Sequence, residues 1–313
     1  MALPSVGRRR LERQVKNLTQ SQRFQPFKTP GRVLVTGADG QLAHYIARAF
    51  TGSDVLALDH RALDITDPAA VAGVAAKASP DVIVNCAAFN DVDGAEDRPE
   101  QALAVNAFAV RSLALAAEKA GAVLVHYSTD FVFDGSRTGE PYAEADEPSP
   151  RSTYASSKLM GEWFALEAPR AFVLRVESLF GSPADWKGRR GTLDAIVGGL
   201  KAGREVRVFT DRVVSPSYTP DIAAATRHLV TTGAAPGLYH CVNDGQATWE
   251  QVAREAARLL GVEPMLQLTT SDKVVLRAAR PTYCALSPGK LAAAGFAMPP
   301  WQDALGRWLR PGD

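Results

Sequence analysis

From residue 32 onward the chain alternates two textures. Short β-branched, nearly uninterrupted apolar runs at 32–36, 55–58, 81–85, 123–127 and 172–176 read as strands covered on both faces. Between them lie longer Ala/Leu-rich stretches with helical spacing, at 41–50, 68–78, 99–120 and 152–166. Asp67 before Pro68 has the form of a helix cap followed by a first-turn proline. This alternation predicts an α/β fold, a Rossmann-type doubly wound parallel sheet spanning residues 31–180.

Past about Gly181 the pattern changes. A Pro/Gly/Arg-containing loop at 182–191 precedes helical stretches at 193–202, 220–230 and 248–260, with intervening strands too short and too few for a second full sheet. Residues 181–313 are therefore expected to form mainly a smaller substrate-binding lobe, interleaved with the first domain. Its walls would complete a cleft over the carboxyl ends of the strands, where open parallel sheets bind ligands. Residues 1–30 carry Arg8-Arg9-Arg10, Arg13 and Lys16 against Glu12. They read as a basic, flexible leader or as an arm that meets a second copy or a partner subunit.

Composition narrows the function classes. The 313 residues are 46% hydrophobic and 22% charged, with a net charge of +1, so no global field favours nucleic acid or an acidic membrane. No run approaches the ~20 apolar residues of a membrane span, and the first thirty residues lack a signal core. Cys86, Cys241 and Cys284 are few and widely spaced, which indicates neither a disulfide framework nor a zinc site. Small-molecule chemistry in a reducing cytoplasm fits best.

The first strand runs into the turn Gly37-Ala38-Asp39-Gly40 and then Gln41-Leu42-Ala43. One glycine permits the tight turn, the next admits backbone N–H groups to a pyrophosphate, and the following helix start favours an anion. Asp59 ends the second strand, where a carboxylate can accept hydrogen bonds from ribose hydroxyls and repel a 2′-phosphate. That residue favours NAD, whereas Arg61 can neutralise a phosphate and keeps NADP open. Asp64 and Ile65 are placed to meet adenine, and Asn85-Cys86-Ala87-Ala88 offers small residues where a cofactor would pass.

Tyr154-Ala155-Ser156-Ser157-Lys158 puts a phenol and an ammonium four apart on one helix face, an arrangement that biases the phenol toward phenolate. The fourth strand ends in His126-Tyr127-Ser128-Thr129-Asp130. This places Tyr127 beside the nicotinamide and Thr129 as a carbonyl clamp. Tyr154 would then protonate the alkoxide formed by hydride transfer, and Lys158 would hold ribose hydroxyls and stabilise tyrosinate. Protease and metal readings lack their parts, and the scattered His44, His60, His126, His228 and His240 read as structural.

These segments, with Leu63-Asp64-Ile65-Thr66-Asp67, Val92-Asp93-Gly94-Ala95-Glu96, Phe131-Val132-Phe133-Asp134-Gly135 and Ala279-Arg280-Pro281, resemble the extended short-chain dehydrogenase/reductases, most closely the dTDP-4-dehydrorhamnose reductase group. The resemblance implies cofactor contacts at Gly40, Gln41, Leu42, Asp59, Asp64, Ile65, Ala88, Phe89 and Asn90. It implies substrate contacts at Thr129 and Asp130, and a nucleotide-diphospho-4-keto-6-deoxyhexose as substrate. Arg280 and the basic residues of Trp186-Lys187-Gly188-Arg189-Arg190 could meet its diphosphate, and the latter group reads equally as a solvated loop. The sequence departs from the group at Arg175-Val176-Glu177-Ser178, where Ser178 replaces a tryptophan expected to face the sugar. Tyr45 stands where some members carry an acid that supports a metal, so no metal is expected.

Phe131 after Thr129-Asp130 breaks the acid pair of the related dehydratases. An epimerase, which would retain its cofactor, stays open. So does a non-catalytic regulatory subunit like the methionine adenosyltransferase β subunit, which resembles the same group.

Overall fold

Six parallel strands position everything else. The computed structural model describes residues 29–183, 186, 188 and 191–310; most of the basic leader, together with Lys187, Arg189 and Arg190, lies outside them. Strands β1 (Arg32–Thr36), β2 (Asp54–Leu58), β3 (Val82–Asn85), β4 (Val123–Thr129) and β5 (Ala171–Val176) are joined by a sixth at Gly237–His240. Their spatial order is Gly237–His240, β5, β4, β3, β1, β2. The chain thus leaves β1 toward β2 on one side and returns to β3 on the other, opening a crevice at the carboxyl ends of β1 and β3.

Period-two alternation divides the strands between two helical layers. Val33 and Val35 face one core with the helices Gln41–Ala49 and Thr219–Thr231, while Leu34 faces another with Pro68–Ala78 and Ala109–Ala120. A third core, built on Phe180, Leu193, Trp249 and Trp301, belongs to the smaller lobe. Its helices Thr192–Lys201, Trp249–Leu260 and Trp301–Leu309 surround three two-stranded ribbons.

The structure corrects three expectations. Strand β2 is not covered on both faces: it is the sheet edge, and Leu56 is exposed. The stretch at 99–120 is not one helix but Pro99–Leu103, a π-helical turn Ala104–Phe108, and Ala109–Ala120. The residues Gly237–His240, read as part of the outer lobe, form a strand of the central sheet, parallel to β5 and buried at Tyr239 and His240. Among the described residues, no helix is long and apolar enough to cross a membrane.

Candidate active site

A cavity of about 520 Å³ lies over the carboxyl ends of the strands, closed by the smaller lobe. Its wall includes Gly40, Gln41, Leu42, Ala88, Asn90, Thr129, Asp130, Tyr154, Lys158, Glu177 and Ser178. A larger hollow of about 970 Å³ under the helix Trp301–Leu309 is remote from this chemistry.

At the glycine turn the backbone itself forms the cradle. Gly37 has φ +70°, and a Cβ there would stand 2.6 Å from Ala87 N, a clash with main chain that only glycine avoids. Asn85 fixes the facing loop: its Oδ1 accepts from Thr36 Oγ1 at 2.7 Å and from Ala87 N at 3.2 Å. The helix Gln41–Ala49 begins at Gly40 without a side-chain cap, which leaves first-turn N–H groups for an anion. These features fit a dinucleotide. Trp186 bridges from the smaller lobe, its Nε1 donating to the Asp39 carbonyl at 3.0 Å, and Ser182 Oγ donates to Gln41 Oε1 at 2.7 Å.

The residues predicted for the adenosine lie outside the cavity wall. Asp59 Oδ1 accepts Ala62 N at 2.8 Å, and Arg61 is exposed. Asp64 accepts both the backbone N–H and the hydroxyl of Thr66, bonds that hold its carboxyl below the usual range. Ile65 is buried in the core.

At the other end the side chains are buried. Tyr154 and Lys158 are both buried on the helix Thr153–Leu166. Ser152 Oγ caps its start by accepting Ala155 N, and Glu96 accepts both the N–H and the hydroxyl of Thr153. Gly161 lets this helix touch the π turn: a Cβ there would lie 2.1 Å from the Asn106 carbonyl. Lys158 Nζ donates to the Tyr127 carbonyl at 2.5 Å, and burial pulls its pKa down to about 8, with Glu162 opposing. Burial, then the Asp130 carboxylate, pushes the Tyr154 phenol above its ordinary range against a hydrogen bond with Thr129. The sequence reading had the ammonium favouring phenolate. In the structure Lys158 turns to the Tyr127 carbonyl, and the dry site shifts the phenol the other way.

Tyr127 meets the cleft, but its hydroxyl is paired with Thr226 at 2.7 Å in the core. His126 is neutral in character: burial lowers its pKa, and its Nδ1 accepts from Asn85 Nδ2 at 3.0 Å. Arg280 does not line the cavity. Its guanidinium makes a two-point ion pair with Asp93, at 2.8 and 2.7 Å, that holds Asp93 down to about 2. Ser178 lines the wall with φ +45°, an uncommon left-handed conformation for a side-chain-bearing residue.

Asn106 and Glu177 were missed. Asn106 sits on the π turn, accepts Phe89 N at 2.8 Å, and donates to the Phe89 carbonyl at 3.1 Å and to Ser157 Oγ at 3.0 Å. It ties the Phe89 loop to the Tyr154 helix. The only sequence signal was a polar residue at a core-facing helical position.

A model of the RmlD substrate binding domain matches residues 31–312. The chain belongs to this family. Its curated relatives include a dTDP-4-dehydrorhamnose reductase of Streptomyces griseus, 38% identical, covering 90% of this chain and 93% of the relative. Another, from Mycobacterium tuberculosis, is also 38% identical, over 88% and 91%. Among solved structures, the Bacillus anthracis dTDP-4-dehydrorhamnose reductase in complex with NADP superposes with a TM-score of 0.83 at 31% identity, over 91% of this chain and 99% of that one. The glycine turn, the Tyr154–Lys158 helix and the β4 terminus all lie within the matched span.

Proposed function

We propose that this family member is an NAD(P)H-dependent reductase of a nucleotide-diphospho-4-keto-6-deoxy sugar, with dTDP-4-keto-6-deoxy-L-mannose as the first substrate to try. The observation that carries the reading is the convergence of Tyr154, Thr129 and Lys158 on the wall of the cavity that the Gly37–Gly40 turn opens into. The relatives of the same length share the family and are named reductases of that substrate. The NADP in the Bacillus anthracis structure supports NADPH, and NADH is tried beside it.

The bound cofactor supplies hydride from nicotinamide C4. Thr129 donates a hydrogen bond to the substrate carbonyl, where negative charge develops, and Tyr154 delivers the proton to that oxygen. A phenol held protonated by burial is in the state needed for donation at neutral pH. Lys158, positioned by the Tyr127 carbonyl, holds the cofactor ribose. Gly37, Gly40, Gln41 and Leu42 seat the pyrophosphate, with Ala88 and Asn90 on the same wall; Asp59, Arg61, Asp64 and Phe89, beside that wall, are the further candidates for the cofactor side. Thr129, Asp130 and Ser178 border the sugar. The test is oxidation of NADPH and NADH by the purified chain with dTDP-4-keto-6-deoxy-L-mannose, with the product identified as the 6-deoxyhexose. No turnover with either cofactor would overturn the substrate assignment.

A further inference from the structure

Two carboxyl groups are buried together on the floor of the cleft. Asp130 is 4% exposed and Glu177 2%, and an oxygen of each lies within 4.8 Å of the other and of Cys284 Sγ. One oxygen of each acid is anchored. Asp130 Oδ1 accepts from Thr129 Oγ1 at 2.9 Å, and Glu177 Oε2 accepts Ser215 N at 2.7 Å. The remaining two, Asp130 Oδ2 and Glu177 Oε1, are buried and have no hydrogen-bond partner. Two such oxygens cannot both stay anionic without a large desolvation and repulsion cost. Protonation removes the conflict.

We propose that Asp130 and Glu177 form a proton store that reloads Tyr154 through the Thr129 hydroxyl, with Glu177 acting as a positioning residue for Asp130. The proposal rests on the reductase reading, in which Tyr154 gives up one proton per turnover. The substrate carbonyl carbon accepts the hydride and its oxygen takes the phenol proton, leaving Tyr154 as phenolate. When Asp130 is protonated on Oδ1 its hydrogen bond with Thr129 Oγ1 runs in reverse; the Thr129 O–H bond then breaks toward the phenolate while the Asp130 Oδ1–H bond breaks and a new Thr129 O–H bond forms. Asp130 is left as a carboxylate beside a protonated Glu177, and a proton from water restores it before the next turnover. The net proton in the alcohol product comes from solvent.

Burial pushes both acids upward, and the Asp130 charge adds to the rise at Glu177. Asp130, which bonds Thr129 Oγ1, is the member of the pair that exchanges its proton with the relay, and Glu177 is its neutral neighbour. Around the pair stand Tyr154 from the helix side, Cys284 and Tyr283 from the segment after Pro281, and Arg212, whose charge acts on Cys284. Arg175, on β5 beside them, is committed to Glu162 at 2.8 and 2.7 Å.

The experiment combines infrared difference spectra of carboxylic acid C=O groups, titrated with NADPH bound, with the pH dependence of kcat. Wild type is expected to show a buried carboxylic acid at neutral pH and a kcat limb that belongs to the pair. Asp130→Asn removes the limb. Glu177→Leu removes the polar neighbour of Asp130 and shifts the limb up by about one unit or more, whereas Glu177→Gln, which keeps a polar neighbour, returns it toward wild type. NADPH affinity of each variant, read by fluorescence, checks that the fold persists. Absence of the carboxylic acid signal, or an unchanged limb in both Asp130→Asn and Glu177→Leu while reduction proceeds, overturns the proton store alone. Failure of wild type to reduce any keto-sugar overturns the reductase reading and the reloading role with it.

Discussion

The two ends of the proposed cofactor path are built on opposite plans. Where Tyr154, Lys158, Thr129 and Asp130 meet, every side chain is buried; Thr129 and Lys158 have fixed partners, and Asp130 keeps one oxygen without any. Where the adenosine would lie, Asp59 and Asp64 bond back onto their own turns and Arg61 is exposed. Bond-making needs atoms held to a fraction of an ångström, so the sequence surrounds those groups with caps, a π turn and a core. Choosing between two cofactors needs only a modest difference in affinity, and exposed side chains are enough for it.

That contrast can be broken hardest at the phenol. Tyr154→Phe is expected to lower kcat by roughly 10²–10⁴-fold, the usual worth of a positioned acid, with NADPH binding intact by fluorescence titration. Gly37→Val should act next, on cofactor rather than chemistry. It forces a branched side chain into φ +70° against Ala87, strain of about 1–3 kcal/mol, read as a roughly 10–100-fold weaker NADPH Kd by calorimetry. Stability against pH sharpens the buried end. Asp130 is raised from 3.8 to about 7 in the folded chain, so its contribution is full at acid pH and is lost as pH rises toward 7. Lys158 is lowered from 10.5 to about 8, so its contribution is present at high pH and lost as pH falls through 8. Urea unfolding should show the neutral-range loss in wild type and a smaller one in Asp130→Asn. The smallest effect belongs to the exposed end: Arg61→Ala should change the NADPH-to-NADH ratio of kcat/KM by only about 2–5-fold, as a solvated charge contact does, with kcat at saturation unchanged.

The same division explains what could be read in advance. Strands β1, β3, β4 and β5 were legible because burial on both faces writes an apolar run into each. The run of β2 looked alike, yet it is an edge, a property of the assembled sheet and not of the segment. Gly237–His240 fell within the span read as the smaller lobe and was not legible as a sheet strand, because the chain reaches β5 only after passing through that lobe. The π turn was hidden because its residues are ordinary helix formers, and the bonds Asn106 makes from it to Phe89 join separate segments. Tyr154, Lys158 and Thr129 were singled out from local position, and the structure brings all three to one cavity wall. Glu177 was noticed only as a departure, since its meaning depends on Asp130 arriving beside it from another strand.

The most direct test of the central claim is transfer of deuterium from NADPH labelled at nicotinamide C4 to dTDP-4-keto-6-deoxy-L-mannose, compared between wild type and Tyr154→Phe at saturating cofactor. The account predicts label at C4 of the sugar product from wild type and almost none from the variant with NADPH still bound. Comparable labelling by the variant, or none by wild type, would contradict it.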